Sequence, residues 1–306
     1  MEADEEYRIE RITKEKLKDL IYLFKSNNND FSERYFEKKF DTSYTGASWV
    51  GYLAYHRTTN EPAAFYGVFP VFLLFDGKQI LAAQSGDTIT HYSHQKKGLF
   101  IFLARRTYEL CCELKIQIVF GFPNKNSSHG FFEKLNWRKD GKVYRYVIPT
   151  SSGIFKRIMR KLMPKSYYEI IFKRFKSFNP YTYNTGQLGI DKTPLYINYK
   201  CFSSKYVYSC DEVDISFICS YDLHIGNIYF KKQIDSRKLL QILGYLSNLT
   251  FTSKVILHFS EFMFEHTAHL KSFMIEDEVL VIGRLDLGVG YESKHLVFSA
   301  EDFDTF

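Results

Sequence analysis

The sequence predicts an α/β fold in which helices flank a mixed, mostly antiparallel sheet, followed by a second, smaller unit of the same kind. Short segments rich in β-branched and aromatic residues alternate with turn residues, which is the pattern of strands. One extended segment ends in a polar loop with a glycine and continues as an amphipathic helix. The 306 residues, of which 45% are hydrophobic, are enough for two cores.

Composition and charge exclude several classes of protein. No apolar run approaches the roughly 20 residues that span a bilayer, and the composition is far from that of disordered chains, so we expect a soluble globular protein. Residues 1–7 are acidic and lack the layout of a secretory signal, which indicates a cytoplasmic protein. The net charge is +6, but both signs are interspersed over most of the chain, so we expect no nucleic-acid partner.

The first half of the chain predicts strands and helices in a definite order. Asp76-Gly77 is a tight hairpin signal between two long strands, and Pro70 should lie at an edge or a bulge. The predicted strands are Tyr7–Ile12, Trp49–His56, Ala63–Phe75 and Gln79–His91, and the predicted helices are Lys14–Phe24, which Thr13 would cap, and Ser32–Phe40.

In the central stretch Gly86–Phe102, an extended segment ends in a polar loop and continues as a helix. Apolar residues recur at helical spacing from Leu99 to Leu114, so the loop Tyr92–Gly98 lies at a helix N-terminus. Backbone N–H groups there lack intrahelical partners and carry partial positive charge, which attracts phosphate, and Gly98 allows close approach of a ligand. Gln95, Lys96 and Lys97 add donors and charge.

This stretch resembles motif A of the GNAT acetyltransferases, through Gln95-Lys96-Lys97-Gly98-Leu99-Phe100. The resemblance implies that these residues hold the pyrophosphate of acetyl-coenzyme A, a co-substrate. Phe100 departs from the family pattern, which has a small residue, so its ring should point into the core. A strand Ile116–Phe122, a short helix Asn126–Leu135 and a strand Val143–Ile148 then complete the family's order, and the resemblance covers about Tyr7 to Pro149.

A second patch resembles the family's later motif. The resemblance implies that Asn126, or Asn124, bonds the pantetheine arm, and that backbone groups of Ile89, Thr90 and His91 pair with that arm where their strand separates from its neighbour. Phe132 occupies the position of the family's tyrosine acid. A phenyl ring cannot donate a proton, so either another group does this or the thiolate leaves as such.

The candidate catalytic residues are Asp87 and His91. They are four residues apart on one strand, so their side chains should point to the same face of the sheet, where a base could reach an acceptor amine. An aspartate after a glycine is also a common bulge residue, and a histidine at a strand end is often only a satisfied polar group. Tyr92, His94 and His129 lie in loops near the same mouth and are substitutes.

We predict three domains: 1–150 binds acetyl-CoA, 151–200 is a basic helical and aromatic linker, and 201–306 is a degenerate GNAT-like domain. Residues 154–178 form amphipathic helices broken at Pro164. These helices are able to touch an anionic membrane or a phosphorylated acceptor, but a solvated basic face that covers a groove is the favoured interpretation. The aromatic loop 179–193 could line an acceptor site.

The chain from Lys205 onward repeats the order of the first domain's back half. We predict strands at Lys205–Ser209, Asp214–Ser220, Ile225–Phe230, Lys254–Phe259, Val279–Leu285 and His295–Phe298, and helices from Asp235 to Leu249 and from Phe262 to Phe273. The loop Tyr229–Arg237 has no glycine, so we expect no coenzyme there. Four histidines (His224, His258, His266, His269) are too scattered to hold a metal, and no metal is expected.

These observations predict an N-acetyltransferase that moves an acetyl group from acetyl-CoA to an amine by direct attack. The acceptor would be an amino sugar or another small metabolite held between the two units. Three alternatives remain open. One is a Fem-type aminoacyltransferase, which also uses tandem units, and another is a binding or scaffold protein that retains the fold without catalysis. The third is nucleic-acid binding through the basic residues of 154–178, which steep salt dependence would support.

Overall fold

The computed structural model describes residues 5–150, 153–175, 188–202, 205–260, 275–288, 290–291 and 294–303, without the side chains of 275–278. The predicted helix 262–273 and residues 179–187 of the aromatic loop lie outside these ranges. No helix within them is long and apolar enough to cross a bilayer. Contacts group the chain into unit 1 (Met1–Asp140, Asn184–Asp191, Val281–His295) and unit 2 (Gly141–Tyr183, Lys192–Leu280, Leu296–Phe306).

The predicted elements that lie within the described residues follow the predicted order with shifted bounds, whereas three short elements, at 173–174, 188–190 and 194–199, were not predicted. The strands are β1 Tyr7–Arg11, β2 Val50–His56, β3 Pro62–Phe75, β4 Lys78–Thr90, β5 Ile118–Gly121, β6 Arg138–Pro149, β7 Lys173–Arg174, β8 Leu188–Ile190, β9 Tyr206–Ser209, β10 Val213–Cys219, β11 Leu223–Phe230, β12 Lys254–Ser260, β13 Ile275–Asp286 and β14 Leu296–Val297. The α-helices are α1 Leu17–Ser26, α2 Glu33–Phe40, α3 Leu99–Glu113, α4 Ile154–Leu162, α5 Lys165–Ile171, α6 Pro194–Tyr199 and α7 Ser236–Leu249.

The sheet of unit 1 runs in the order β1-β2-β3-β4-β5. The first four strands are antiparallel neighbours, whereas β4 and β5 are parallel with α3 as the crossover. Residues 283–286 of β13 pair antiparallel with β5. The predicted fold class, a mixed and mostly antiparallel sheet flanked by helices, is therefore confirmed.

The turn between β3 and β4 has the predicted chemistry. Asp76 and Gly77 both have positive φ, 47° and 75°, as a two-residue hairpin turn requires, and Phe75 pairs with Lys78 across it. Pro70 pairs with Ala83 of β4. On the other side of β3, its pairing with β2 ends at Val68 and its pairing with β8 starts at Leu73. Pro70 therefore lies at a locally open edge, where its missing N–H costs no hydrogen bond between strands.

Helices cover both faces of the unit 1 sheet. The helices α1 and α2 pack their aliphatic and aromatic residues against Phe65 and Phe69 of β3. The helix α3 packs against Val68 and Ala83 on the opposite face. Thr13 makes no side-chain cap bond, because a short 3₁₀ turn at Lys14–Lys16 precedes α1.

The sheet of unit 2 contains the order β6-β12-β11-β10-β9. The pair β11 and β12 is parallel with α7 as the crossover, and Asp235 caps α7 as predicted by accepting a hydrogen bond from the Lys238 N–H at 2.8 Å. The step β11-α7-β12 thus repeats the step β4-α3-β5 of unit 1. The two units are interleaved along the chain, and both the predicted domain boundaries and the tandem relationship stay predictions.

One histidine of unit 2 predicts how stability depends on pH. Burial, with the nearby Arg145 and His224, lowers the pKa of His258 to about 4. An unfolded histidine titrates near ~6.5, so the unfolded chain gains this proton first as the pH falls. The contribution of His258 to stability is therefore complete above about pH 6.5, and we expect about 2–3 kcal/mol of it to be lost by about pH 4.5.

Urea unfolding of the wild type and of His258→Gln at both pH values measures this loss. The variant should lose less stability on acidification than the wild type. His129→Gln, at an exposed position, serves as the control and should behave as the wild type does. An undiminished acid loss in His258→Gln would show that other groups control the pH dependence.

Candidate active site

The predicted phosphate loop begins where β4 ends and leads directly into α3. Gly98 is the N-cap residue of α3 and has φ +75°, a conformation that glycine adopts at no steric cost. No side chain caps the helix there, and a Cβ built on Gly98 meets no atom within 4 Å. The N-terminus of α3 is therefore uncapped and opens onto free space, as binding of an anion requires.

The corresponding helix of unit 2 differs at this point. The carboxylate of Asp235 accepts the Lys238 N–H at the start of α7, so a negative charge of the protein already occupies that N-terminus. Unit 1 has a glycine without a side chain in the same position. Of these two crossover helices, α3 alone presents an uncapped N-terminus.

The first residues of α3 offer their backbone to a ligand but not their side chains. Leu99 is buried in the core beneath the helix. The ring of Phe100 packs edge-on against Phe131, with centroids 5.1 Å apart, and lies 5.8 Å from the ring of Tyr66. A Cβ at Gly130 would lie 2.5 Å from the Phe100 ring, so a glycine there makes room for the large residue.

The charged residues of the loop have different surroundings. Gln95 and Lys96 are exposed, and Lys96 has φ +64°, a left-handed conformation that is uncommon for lysine. The ammonium of Lys97 forms an ion pair with the Glu6 carboxylate, and this hydrogen bond raises the pKa of Lys97. Part of the charge of Lys97 is therefore balanced by the protein itself.

Two residues from the beginning of the chain hold this loop in place, and sequence reasoning did not find them. The Tyr7 hydroxyl lies 2.8 Å from Nδ1 of His94, and Glu6 binds Lys97. Burial, and then the charges of Lys97 and His56, lower the pKa of His94. No local pattern indicates these contacts, because β1 lies more than 80 residues from the loop and meets it only through the sheet.

The two parallel strands next to the loop stop pairing before β4 ends. The register joins Ala82, Ala83 and Gln84 of β4 to β5, and β4 then continues beside β3 as far as Thr90. Thr90 pairs with Ala64, and the His91 N–H donates to the Ala63 carbonyl at 2.8 Å. The far edge of β4 from Ser85 to Thr90 thus extends beyond its register with β5, at the place where Ile89, Thr90 and His91 were predicted to meet the pantetheine arm.

Asp87 and His91 both face the helices α1 and α2. Asp87 lies in a β-bulge at φ +53°, and its carboxylate is 2.9 Å from the ammonium of Lys39, a lysine of α2 that is only 1% exposed. The ring of His91 stacks on Tyr22 of α1, and its Nδ1 lies 2.7 Å from the Ser93 hydroxyl. Asp87 is therefore both a bulge residue and the partner of a buried cation.

The second motif forms a turn with a π-helical segment at Gly130–Lys134 in place of the predicted helix 126–135. The side chain of Asn124 accepts hydrogen bonds from the backbone N–H groups of Asn126 and Ser127, at 2.9 and 3.1 Å. Asn124 therefore stabilises the turn, which leaves the exposed Asn126 as the candidate for the pantetheine contact. Phe131 is buried in the core, whereas Phe132 is half-buried beneath the ammonium of Lys139 at 5.5 Å.

A buried hydrogen-bond network holds Ser85 of β4 in position. The Tyr66 hydroxyl lies 2.8 Å from the Ser85 hydroxyl and 2.9 Å from the Tyr108 hydroxyl, and the Trp137 indole donates to Tyr108 at 3.0 Å. Burial raises the pKa of Tyr66 and of Tyr108 well above the usual tyrosine value, so both stay protonated. The network thus fixes Ser85, the residue at which β4 leaves its register with β5.

Comparison with known proteins relates residues 8–139 to one protein family. Residues 8–139 match the family model described as "Acetyltransferase (GNAT) domain". No curated protein matches the sequence.

Solved structures with related folds cover nearly the whole chain. A GCN5-related N-acetyltransferase from Kribbella flavida aligns over 92% of this chain and 71% of its own, with TM-score 0.60 and 13% identity. One from Anabaena variabilis ATCC 29413 aligns over 91% and 72%, with TM-score 0.57 and 11% identity. Saccharomyces cerevisiae N-myristoyltransferase with bound myristoyl-CoA aligns over 92% and 82%, with TM-score 0.56 and 12% identity. At these identities the likeness shows the fold.

Proposed function

Because residues 8–139 match the GNAT acetyltransferase domain model, we propose that the protein is an acyl-CoA-dependent N-acyltransferase, with acetyl-CoA as donor and a small amine, such as an amino sugar, as acceptor. The uncapped N-terminus of α3 at Gly98 carries this proposal. It is the feature that a pyrophosphate needs and that α7 of unit 2 lacks.

The donor would be held by backbone groups more than by side chains. The N–H groups at Gly98, Leu99 and Phe100 would bind the pyrophosphate, while Gln95, Lys96 and Lys97 supply further donors and charge. The edge of β4 at Ile89, Thr90 and His91 would pair with the pantetheine arm, and Asn126 would bond its amides. When bound, the donor supplies a thioester carbonyl for the amine to attack.

The acceptor side lies on the α1–α2 face, where Asp87 and His91 point. An amine must lose a proton before or as it attacks, so a basic side chain has to lie near it. Asp87 is paired with buried Lys39, and a proton on its carboxylate would leave that ammonium without its counter-ion. We therefore assign the proton-accepting role first to His91 and an electrostatic role, through its negative charge, to Asp87.

Two other functions share the same fold. A scaffold protein would bind acyl-CoA or nothing and would not turn it over, which Phe132 in place of a tyrosine acid permits. A Fem-type enzyme would transfer an aminoacyl group from tRNA and would not need the uncapped helix. The uncapped N-terminus of α3 favours a coenzyme A thioester over an aminoacyl-tRNA as the ligand, and turnover distinguishes an enzyme from a scaffold.

Thiol release from acetyl-, octanoyl- and myristoyl-CoA with a panel of amines tests the function. We expect calorimetric binding of acetyl-CoA and release of CoA with at least one amine. His91→Gln should lower kcat by about 10²–10⁴-fold without changing acetyl-CoA affinity, and Asp87→Asn should lower kcat while also destabilising unit 1.

His129→Gln removes the exposed histidine that the sequence offered as a substitute base, and it should react at the wild-type rate if His91 accepts the proton. Binding without turnover would establish the scaffold function. Turnover with octanoyl- or myristoyl-CoA but not with acetyl-CoA would show that the donor is a longer acyl-CoA. If the wild type binds none of the three thioesters, the acyltransferase proposal fails.

A further inference from the structure

Helix α4 exposes its apolar residues to solvent. Ile154, Ile158 and Leu162 recur every fourth residue and so lie on one face, with Phe155 beside them. These four side chains are 50% to 78% exposed. An ordinary surface helix buries such a face.

The opposite face of α4 attaches the helix to unit 2, and it does so with basic side chains. Lys156 donates hydrogen bonds to the Thr252 carbonyl at 3.1 Å and to the Ser247 hydroxyl at 3.3 Å. Arg160, one turn later, donates to the Cys219 carbonyl at 3.1 Å and to the Tyr168 hydroxyl at 2.9 Å. The polar contacts thus fix the helix with its apolar face outward.

Helix α5 continues this arrangement. Tyr168 and Phe172 enter the core of unit 2, and Tyr167 donates to the Leu249 carbonyl at 3.1 Å. Ile170, between the buried residues, is 84% exposed. Both helices are therefore held firmly to unit 2 while their aliphatic residues face outward.

The exposed charges around these helices are almost all positive. Arg157, Lys161, Lys165 and Lys173 are exposed, and the one acidic residue between positions 153 and 175, Glu169, pairs with Arg174 at 2.7 Å. An apolar face bordered by lysine and arginine is the pattern of helices that lie in the interface of an anionic bilayer.

We propose that residues 153–175, the basic arm, are a docking surface for a membrane containing anionic lipids. Ile154, Phe155, Ile158 and Leu162 would enter the acyl boundary, and the lysines and arginines would contact the headgroups. The charges favour this occupant over a second copy of the chain, which would bring the same positive charge to the contact. The exposed apolar face favours a membrane over nucleic acid, which would leave these side chains in water. The proposal does not depend on the acyltransferase activity.

Co-sedimentation of the whole protein with lipid vesicles tests this surface. Binding to vesicles of phosphatidylserine and phosphatidylcholine should exceed binding to phosphatidylcholine alone by at least about 10-fold and should weaken as salt is added. The double variant Phe155→Ser/Leu162→Ser should lose most of this binding. Leu195→Ser removes a similarly exposed apolar residue from α6 and should bind as the wild type does.

A second variant reports on insertion itself. The emission of an indole at position 155, in Phe155→Trp, should shift to the blue when anionic vesicles are added, because the side chain leaves water. Three results would overturn the proposal. The double variant would bind anionic vesicles as strongly as the wild type does, the emission would not shift, or the wild type would bind phosphatidylserine-containing vesicles no more strongly than vesicles of phosphatidylcholine alone. Concentration-dependent dimerisation that the double variant abolishes, without vesicle binding, would assign the face to a second copy instead.

Discussion

Replacing Gly98 by aspartate is expected to abolish acyl-CoA binding and to leave the protein folded. Aspartate tolerates a positive φ better than most residues, and its carboxylate would lie at the start of α3, as that of Asp235 lies at the start of α7. The same carboxylate would then repel the phosphates and compete for their donors. Loss of two charge-assisted hydrogen bonds corresponds to an affinity reduced by at least about 100-fold.

The hairpin between β3 and β4 contains a matched control. Gly77 has the same φ, +75°, and a Cβ there also meets nothing within 4 Å, so Gly77→Asp has the same backbone cost at a site remote from the loop. It should bind acetyl-CoA as the wild type does. Gly98→Asn, which has the same shape without the charge, should fall between the two. Calorimetric titration measures all three, and wild-type affinity in Gly98→Asp would place the donor elsewhere.

Removing Glu301 is expected to cost unit 2 about 3–5 kcal/mol of stability. This buried carboxylate accepts hydrogen bonds from Lys192 and Tyr229, and from the Ser216 hydroxyl at 2.5 Å. Burial by itself would raise the pKa of Glu301, but the Lys192 ammonium and the two hydroxyls together lower it, so the group is ionised in the folded protein. Glu301→Ala would remove the shared acceptor of two buried hydroxyls and would leave the Lys192 ammonium with Asp302, at 3.3 Å, and the Ser299 hydroxyl, at 3.4 Å.

Urea unfolding of Glu301→Ala and of three further variants checks this network. Lys192→Met should be destabilising for the same reason, and the double variant Lys192→Met/Glu301→Ala should lose less than the sum of the two single losses, because the charges are then removed together. Glu212→Ala removes the partly exposed partner of Lys238, at 3.2 Å, and should leave the unfolding midpoint unchanged. Strictly additive losses would show that Glu301 and Lys192 do not act as a pair.

Several features of the fold and site could be predicted because their causes lie within a few residues. The turn at Asp76-Gly77 follows from the need for positive φ, and the cap of α7 follows from an aspartate before a helical pattern. The start of α3 at Gly98 was predicted in the same way, whereas the inward ring of Phe100 was expected from the resemblance to the family's motif. The predicted helix 126–135 of the second motif is replaced by a turn and a π-helical segment at Gly130–Lys134, which no local signal distinguishes from an α-helix.

The contacts that decide the surroundings of the site were not predicted. Lys39 meets Asp87 across 48 positions of the chain, and Tyr7 meets His94 across 87. Such pairs depend on which strands become neighbours and on the side to which helices fold back. A bulge at Asp87 adds one residue to the strand, so parity alone could not establish the direction of its side chain.

By itself, the sequence determined the order of the elements, the glycine that leaves the N-terminus of α3 uncapped and the aspartate that closes the N-terminus of α7. These follow from backbone and capping preferences that act locally. Tertiary structure alone decided that Asp87 pairs with a buried lysine and that α4 presents its apolar face outward. Periodicity shows which residues share a face, but the partners available nearby, here the carbonyls at Thr252 and Cys219, decide which face turns inward.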